Sequence, residues 1–350
     1  KSFNFILMPI QKYKKLNQRF TAILIAIVEG YINRCTPISS TYVQKKIDTA
    51  LSTASIRSVM SLLEKDGFLK QIHKSGGRVP TDLGYRFYIN TIKANKFYSA
   101  KNISNLEDEL KTISNNVDEL FNATASMISK LSNMFGVVTI TDYHNSVLRD
   151  IELVELNNSR VMLVLAMDNG LVKSIVLDLD LKIAFKHMHA ITKLLKDKLT
   201  GLSLKEIQNT ITDRLNDSLI FNHELVQVLI NERFSYFSIA NNKLIYTSPV
   251  NVLLDQPEFQ NINNLQQILP ALDKKYLNMY LNNNFDTSSD YDLIGKENKD
   301  KIFKDCAILT SKFQTNAISG RIGVIGPKRL NYINVKNILN TFKKVVQDAI

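Results

Sequence analysis

The sequence predicts a multidomain α+β protein: a small helical module closed by a β-hairpin, then a larger body in which strands flank a helical block. Three features point to it. Apolar spacing switches from a helical to an alternating period and back within the first hundred residues. Strand-like alternation returns at 136–180 and again at 306–327, with helical patterns between. The charge is also segregated: residues 1–100 hold 16 Lys/Arg against 5 Asp/Glu, whereas residues 101–350 hold 28 of each.

A basic module on a neutral body suits a polyanionic partner. A cationic membrane-surface segment is the competing explanation, but it needs one helix with an apolar and a cationic face. Here the charges are spread over several elements, which favours nucleic acid. At 350 residues the chain accommodates two or three cores. No run approaches the ~18 apolar residues of a membrane span. Residues 1–15 read as an N-terminal extension beginning at Lys1, with Met8 a possible native start, and the opening is too short in apolar residues for a signal peptide. Cys35 and Cys306 stand far apart, which excludes a disulfide framework or a cysteine-rich zinc site and fits a reducing cytoplasm.

The module spans 16–98. Phe20, Ile23, Leu24, Ile27, Val28 and Tyr31 share one face of a first helix, which Pro37 stops. Ser39 caps a short second helix, "STYVQKKI", and Ser52 or Thr53 caps a third that runs to Asp66. Ile56, Val59, Met60 and Leu63 face inward on that third helix and Gly67 ends it. "FLKQIH" then alternates, "KSGG" supplies turn chemistry and "RVP" begins the return strand. Thr81 caps a helix over "DLGYRFYINTIKANKF". Three helices followed by a two-stranded wing form a winged helix-turn-helix, in which the start of the third helix enters the major groove of DNA.

On that helix Thr53, Ala54, Arg57, Ser58, Ser61 and Lys65 face outward. Arg57 is suited to a bidentate contact with guanine, and Thr53 and Ser58 to bases or phosphates. An ion pair on an exposed face is the competing role for Arg57. Lys45, Lys46, His73, Lys74 and Arg78 are the expected phosphate and wing contacts, with a solvated loop position the alternative for His73.

In the body, a heptad-like stripe runs through Ile103, Leu106, Leu110, Ile113, Val117, Leu120, Met127, Leu131 and Met134, with Thr124 its one polar member. It suits either a helical seam between two subunits or packing on its own domain. Four strands follow over 136–180, then helices, a short strand at "KLIYTSP", an acidic loop at "NNNFDTSSDYD", and the strands "CAILTSKF" and "GRIGVIGP" before a last helix.

No catalytic set emerges. Gly320, Gly323 and Gly326 lack the dinucleotide-binding spacing and suit close strand packing. His187 and His189 diverge on a helix, and "HELVQ" lacks the second histidine of a zinc protease. "DTSSDYD" lacks the glycine of a calcium loop. No cofactor, metal or enzymatic activity is expected.

The segments "YINRCTPISSTYV", "LSTASIRSVMSLLEKDGFLKQIHKSGGRVPTDLGYRFYI", "PEFQNINNLQQIL" and "RIGVIGPKRLNY" resemble, in order, those of the HrcA family of heat-inducible transcription repressors. The similarity covers nearly the whole chain from Leu16 and is most specific at Ser75–Arg86. It departs from the family pattern at Ser58 and Val59, where Asn and Glu are common, and keeps Arg57. The resemblance implies a homodimer that binds an inverted-repeat operator, the CIRCE element, on double-stranded DNA upstream of chaperone operons. It implies a GAF-like body interrupted by an inserted, mostly helical dimerisation domain, and dependence on the GroE chaperonin for the active form. The corresponding layout places GAF-like parts at 99–215 and 286–350 and the insertion at 216–285. The alternative is a winged-helix regulator controlled by a small effector bound in the GAF-like domain.

Overall fold

The computed structural model describes residues 16–47, 51–72, 76–92, 110, 116–157, 159–179, 185–237, 244–284 and 290–350. It is a mixed α+β protein of two units. The first comprises Lys1–Lys93 with the short segments Ile294–Lys296 and Lys328–Asn331; the second takes the rest. Among the described residues no helix is long and apolar enough to cross a membrane.

In the first unit the order is α1 (Gln18–Arg34), α2 (Ser40–Lys46), α3 (Thr53–Lys65), β1 (Leu69–Gln71), β2 (Arg78–Pro80) and α4 (Asp82–Thr91). Each start is set by a side-chain oxygen that takes an otherwise unpaired backbone N–H. Ser39 accepts from Tyr42, Ser52 from Ser55 and Thr81 from Gly84. The first helix ends sooner than its proline: Cys35 turns to φ 54°, and its N–H closes on the Tyr31 carbonyl.

Buried Ile23, Leu24, Ile27 and Val28 of α1 form a core with Val43, Ile56, Met60, Leu63, Phe68 and Val79. Tyr88 donates to Glu29, and burial together with that carboxylate pushes its phenol far above the ordinary range. Gly84 lets α4 begin against β1, because a Cβ there would lie 2.3 Å from the Phe68 carbonyl oxygen. Asp82, first in α4, accepts from the Lys296 N–H at 3.0 Å and pairs with Lys328 at 3.0 Å, both within the first unit. α4 stops at Thr91, since Ile92 is extended; the sequence expectation ran on to Phe97, and 93–97 lie outside the described residues.

The second unit continues with α5 (Val117–Ser132), β3 (Phe135–Asp142), β4 (Leu148–Asn157), β5 (Arg160–Met167), β6 (Val172–Asp178), α6 (Phe185–Leu199), α7 (Leu204–Leu215), α8 (Glu224–Asn231) and α9 (Arg233–Tyr236). After them come β7 (Leu244–Thr247), α10 (Ile262–Ile268), α11 (Lys274–Asn284), β8 (Tyr291–Ile294), β9 (Cys306–Gln314), β10 (Ser319–Pro327) and α12 (Tyr332–Ala349). A five-stranded sheet has the order β7-β3-β10-β9-β8, with antiparallel pairing through β7, β3, β10 and β9.

Alternation divides that sheet's two faces. Phe135, Val137, Ile245, Ile308 and Ile325 pack with Phe259, Ile268, Leu277 and Phe303 in one core. α5 and α12 cover the other face, where the Phe121 ring lies 5.4 Å from Tyr246 and 5.7 Å from Phe313. Val117, Leu120, Thr124 and Met127 of the heptad-like stripe are buried on the helix that covers this sheet, whereas Leu131 is 38% exposed. The stripe's polar member, Thr124, is fully buried and donates to the Leu120 carbonyl at 2.7 Å. Ile103, Leu106 and Ile113 lie outside the described residues.

The four strands over 136–180 do not share a sheet. β4, β5 and β6 form a separate three-stranded antiparallel sheet, whose inner face includes Ile151, Leu163 and Leu165. Buried Ile191, Leu195 and Leu199 belong to α6, which packs against β4. β7, inside the 216–285 range expected to be an insertion, instead lies beside β3, with Val138 opposite Tyr246. Alternation marks each strand but carries no information on its partner, which here comes from more than a hundred residues away. The expected acidic loop at 282–292 also yields its ends to α11 and β8.

Candidate nucleic-acid interface

α3 is fixed by Ile56, Val59, Met60 and Leu63, which leaves Ala54, Ser58, Ser61 and Lys65 at spacings of four, three and four on one exposed stripe. Thr53 is the first helical residue and is half-buried. The Ser58 hydroxyl donates to the Ala54 carbonyl at 3.2 Å, one turn back. Arg57 leans off this stripe toward α2, where its Nε donates to Ser40 Oγ at 3.1 Å. Lys45 and Lys46 are exposed in the last turn of α2.

The hairpin is held by an acid that the sequence reading passed over. In the last turn of α3, Glu64 accepts from the Gln71 N–H at 3.0 Å and from Arg78 Nε at 2.8 Å. One carboxylate thus ties the helix to both strands, since Gln71 and Arg78 face each other across the ladder. The Arg78 side chain is only 15% exposed, and its Nη1 donates to the Gly76 carbonyl. Arg78 is therefore part of the hairpin's internal bracing. A backbone bridge between Ile38 and Arg78, 2.9 Å in both directions, adds the segment before α2. Gly77 permits this approach, because its Cβ would meet the Ile38 backbone at 2.4 Å.

The structure therefore brings Arg57 and Arg78 to one cleft between α2, α3 and the hairpin, and leaves Thr53 and Ser58 along the helix. His73 and Lys74 lie outside the described residues. Glu64 and Ser40 could not be singled out beforehand. Their significance comes from the register Gln71↔Arg78 and from the packing of α2 on α3, neither of which has a local sequence signature. Elsewhere, the His187 ring meets His223 edge-on at 5.6 Å, and among the described residues no cluster of three or more His, Cys, Asp or Glu is placed to hold a metal.

Replacing Glu64 with Ala is expected to destabilise the first unit by about 1–3 kcal/mol, because a largely buried guanidinium and a backbone N–H lose their acceptor. Hydrogen exchange over residues 68–80 would report it as faster exchange, with Glu64→Gln intermediate. Unchanged exchange in Glu64→Ala would show that the carboxylate does not brace the hairpin.

Comparison with known proteins places residues 118–335 in the family described as HrcA protein C terminal domain. The heat-inducible transcription repressor HrcA of Chlorobaculum tepidum is 31% identical, over 97% of this chain and 98% of that protein. The protein of the same name from Thermodesulfovibrio yellowstonii is 28% identical, over 94% and 96%. A crystal structure of a hypothetical protein at 2.2 Å resolution superimposes with a TM-score of 0.59 at 19% identity, covering 96% of this chain and all of that one; this likeness concerns the fold alone.

Proposed function

This chain belongs to the HrcA family of heat-inducible transcription repressors, and we propose from that premise that its first unit is the DNA-binding winged helix-turn-helix. In this reading α3 enters the major groove, with Thr53 and Ser58 among the residues nearest the bases and Arg57 alongside. The hairpin and the exposed Lys45 and Lys46 lie over the phosphates, as do His73 and Lys74. The observation that carries it is the confinement of the net charge to residues 1–100, a stretch whose described residues fold as four helices and a braced hairpin. The target is an inverted repeat of CIRCE type on double-stranded DNA, bound by a homodimer in the cytoplasm. The protein acts by occupying DNA and not by catalysis, and the GroE chaperonin maintains its active form. Control by a small effector is not favoured, because relatives matched almost end to end are named heat-inducible repressors.

The layout follows sheet pairing. The five-stranded sheet with its helices is the GAF-like domain, and the insertion runs from the end of β3 to the start of β7, not over 216–285. A feature of the inserted part supports the homodimer. On the outer face of the three-stranded sheet, Val154, Met162 and Val176 form one cross-strand row, with Val172 on the same face. Val154, Val172 and Val176 are 42%, 56% and 50% exposed, an apolar face suited to a second copy.

Two outcomes are expected. Affinity for an inverted-repeat duplex should fall with salt by about 10³–10⁵ between 50 and 200 mM if six to ten phosphates are neutralised, with random duplex bound more weakly throughout. A salt-independent affinity, or equal affinity for both duplexes, would refute the reading. Val176→Glu should shift the dimer to monomer in sedimentation velocity and weaken operator binding; a variant that stays dimeric would place the interface elsewhere.

A further inference from the structure

We propose that the cleft between α2, α3 and the hairpin is a binding site for a single phosphodiester of the DNA backbone, and that Arg57 is its anion-gripping residue and not a reader of bases. This rests on the DNA-binding reading of the first unit and assigns one contact within it.

The cleft has a volume of about 480 Å³, enough for a phosphate and the sugars on either side of it, and is lined by Ser40, Thr41, Arg57, Ser61, Gly77 and Arg78 among others. No carboxylate is among its described lining residues. The Glu64 carboxylate is spent on Arg78 and the Gln71 N–H, so Arg78 brings a largely compensated charge. Arg57 differs. Its Nε is tethered to Ser40 Oγ, and among the described residues its two terminal nitrogens meet no protein acceptor. A guanidinium held by Nε presents its remaining donors as a fork, the arrangement that suits two oxygens of one phosphate.

The tether to Ser40 favours the phosphate over a base as the partner of Arg57. In the proposed docking the bases face the outward stripe of α3, where Ala54, Ser58 and Lys65 lie and whose edge residue Ser61 also lines the cleft. Arg57 is one flank over, turned to α2 and bonded to it. The walls of the cleft are also set before any ligand arrives. The Ile38–Arg78 bridge and the Glu64 bracing hold the hairpin, and Gly77 has no room for a side chain against Ile38. A preset cleft of donors costs little ordering on binding.

The test compares the full-length protein with Arg57→Ala, Arg57→Lys and Ser40→Ala on operator and random duplexes, with ethylation interference on the operator. Ethylating one backbone phosphate per half-site should block the wild type and leave Arg57→Ala indifferent. Arg57→Ala should weaken binding to both duplexes by the same factor, about ten-fold or more, and lower the salt slope by about one. Arg57→Lys should recover part of the loss on both. Ser40→Ala should give a smaller loss on both, since it frees the fork without removing it. Hydrogen exchange of α3 equal to wild type excludes misfolding, and Arg57→Lys carries the comparison if Arg57→Ala unfolds. Loss confined to the operator, with one base position relaxed, would make Arg57 a base reader and overturn the proposal. Unchanged binding by Arg57→Ala, with the wild type still salt-dependent, would overturn the proposal alone. A wild type that binds neither duplex would overturn the DNA-binding reading with it.

Discussion

The Glu64 carboxylate takes one hydrogen bond from each strand of the hairpin while it sits in the last turn of α3. A hairpin whose ladder pairs among the described residues are Leu69↔Pro80, Lys70↔Val79 and Gln71↔Arg78 has little capacity to hold its own angle. The angle comes from that carboxylate, from the Ile38–Arg78 bridge and from the start of α4 against the Phe68 carbonyl. The cleft beside α3 follows from it, while the outward direction of the helix's polar stripe follows from buried Ile56, Val59, Met60 and Leu63. A mostly buried arginine also needs its acid, so stability and recognition share one contact.

That sharing separates the arginines and lysines of the basic module into two kinds. Arg78 contributes its charge inward and keeps the hairpin in place. Lys45, Lys46 and Arg57 keep theirs toward solvent. In the proposed complex the total charge of the first hundred residues attracts a duplex from a distance, and the second kind supplies contacts that positioning on a backbone requires. In the proposed complex, base reading is left to Thr53 and to the stripe of Ala54, Ser58, Ser61 and Lys65, in which the Ser58 hydroxyl also bonds within its own helix.

Much of the first unit was legible because its signals are local. Ser39 and Thr81 cap the helices as read; of the two residues considered for α3 the cap is Ser52, with Thr53 one step inside. Gly67 does adopt positive φ, at 83°. The inward set Ile56, Val59, Met60 and Leu63 is buried as the period requires. What escaped was every feature set by distant pairing. Val137 and Gly323, far apart in sequence, share a register that no window contains. The separation of β4–β6 into their own sheet, the bracing role of Glu64 and the sideways lean of Arg57 are of the same kind. Period tells which face of an element is apolar; it does not tell which neighbour that face will meet.

Hydroxyl-radical footprinting of the full-length protein on the organism's own chaperone promoters tests most directly whether the proposed DNA-binding unit reads an inverted repeat as a dimer. Two protected segments related by the repeat's two-fold symmetry, with centres about one helical turn or a multiple of it apart, are the result the proposed function predicts. An unprotected repeat, or protection spread evenly along the duplex, would contradict it.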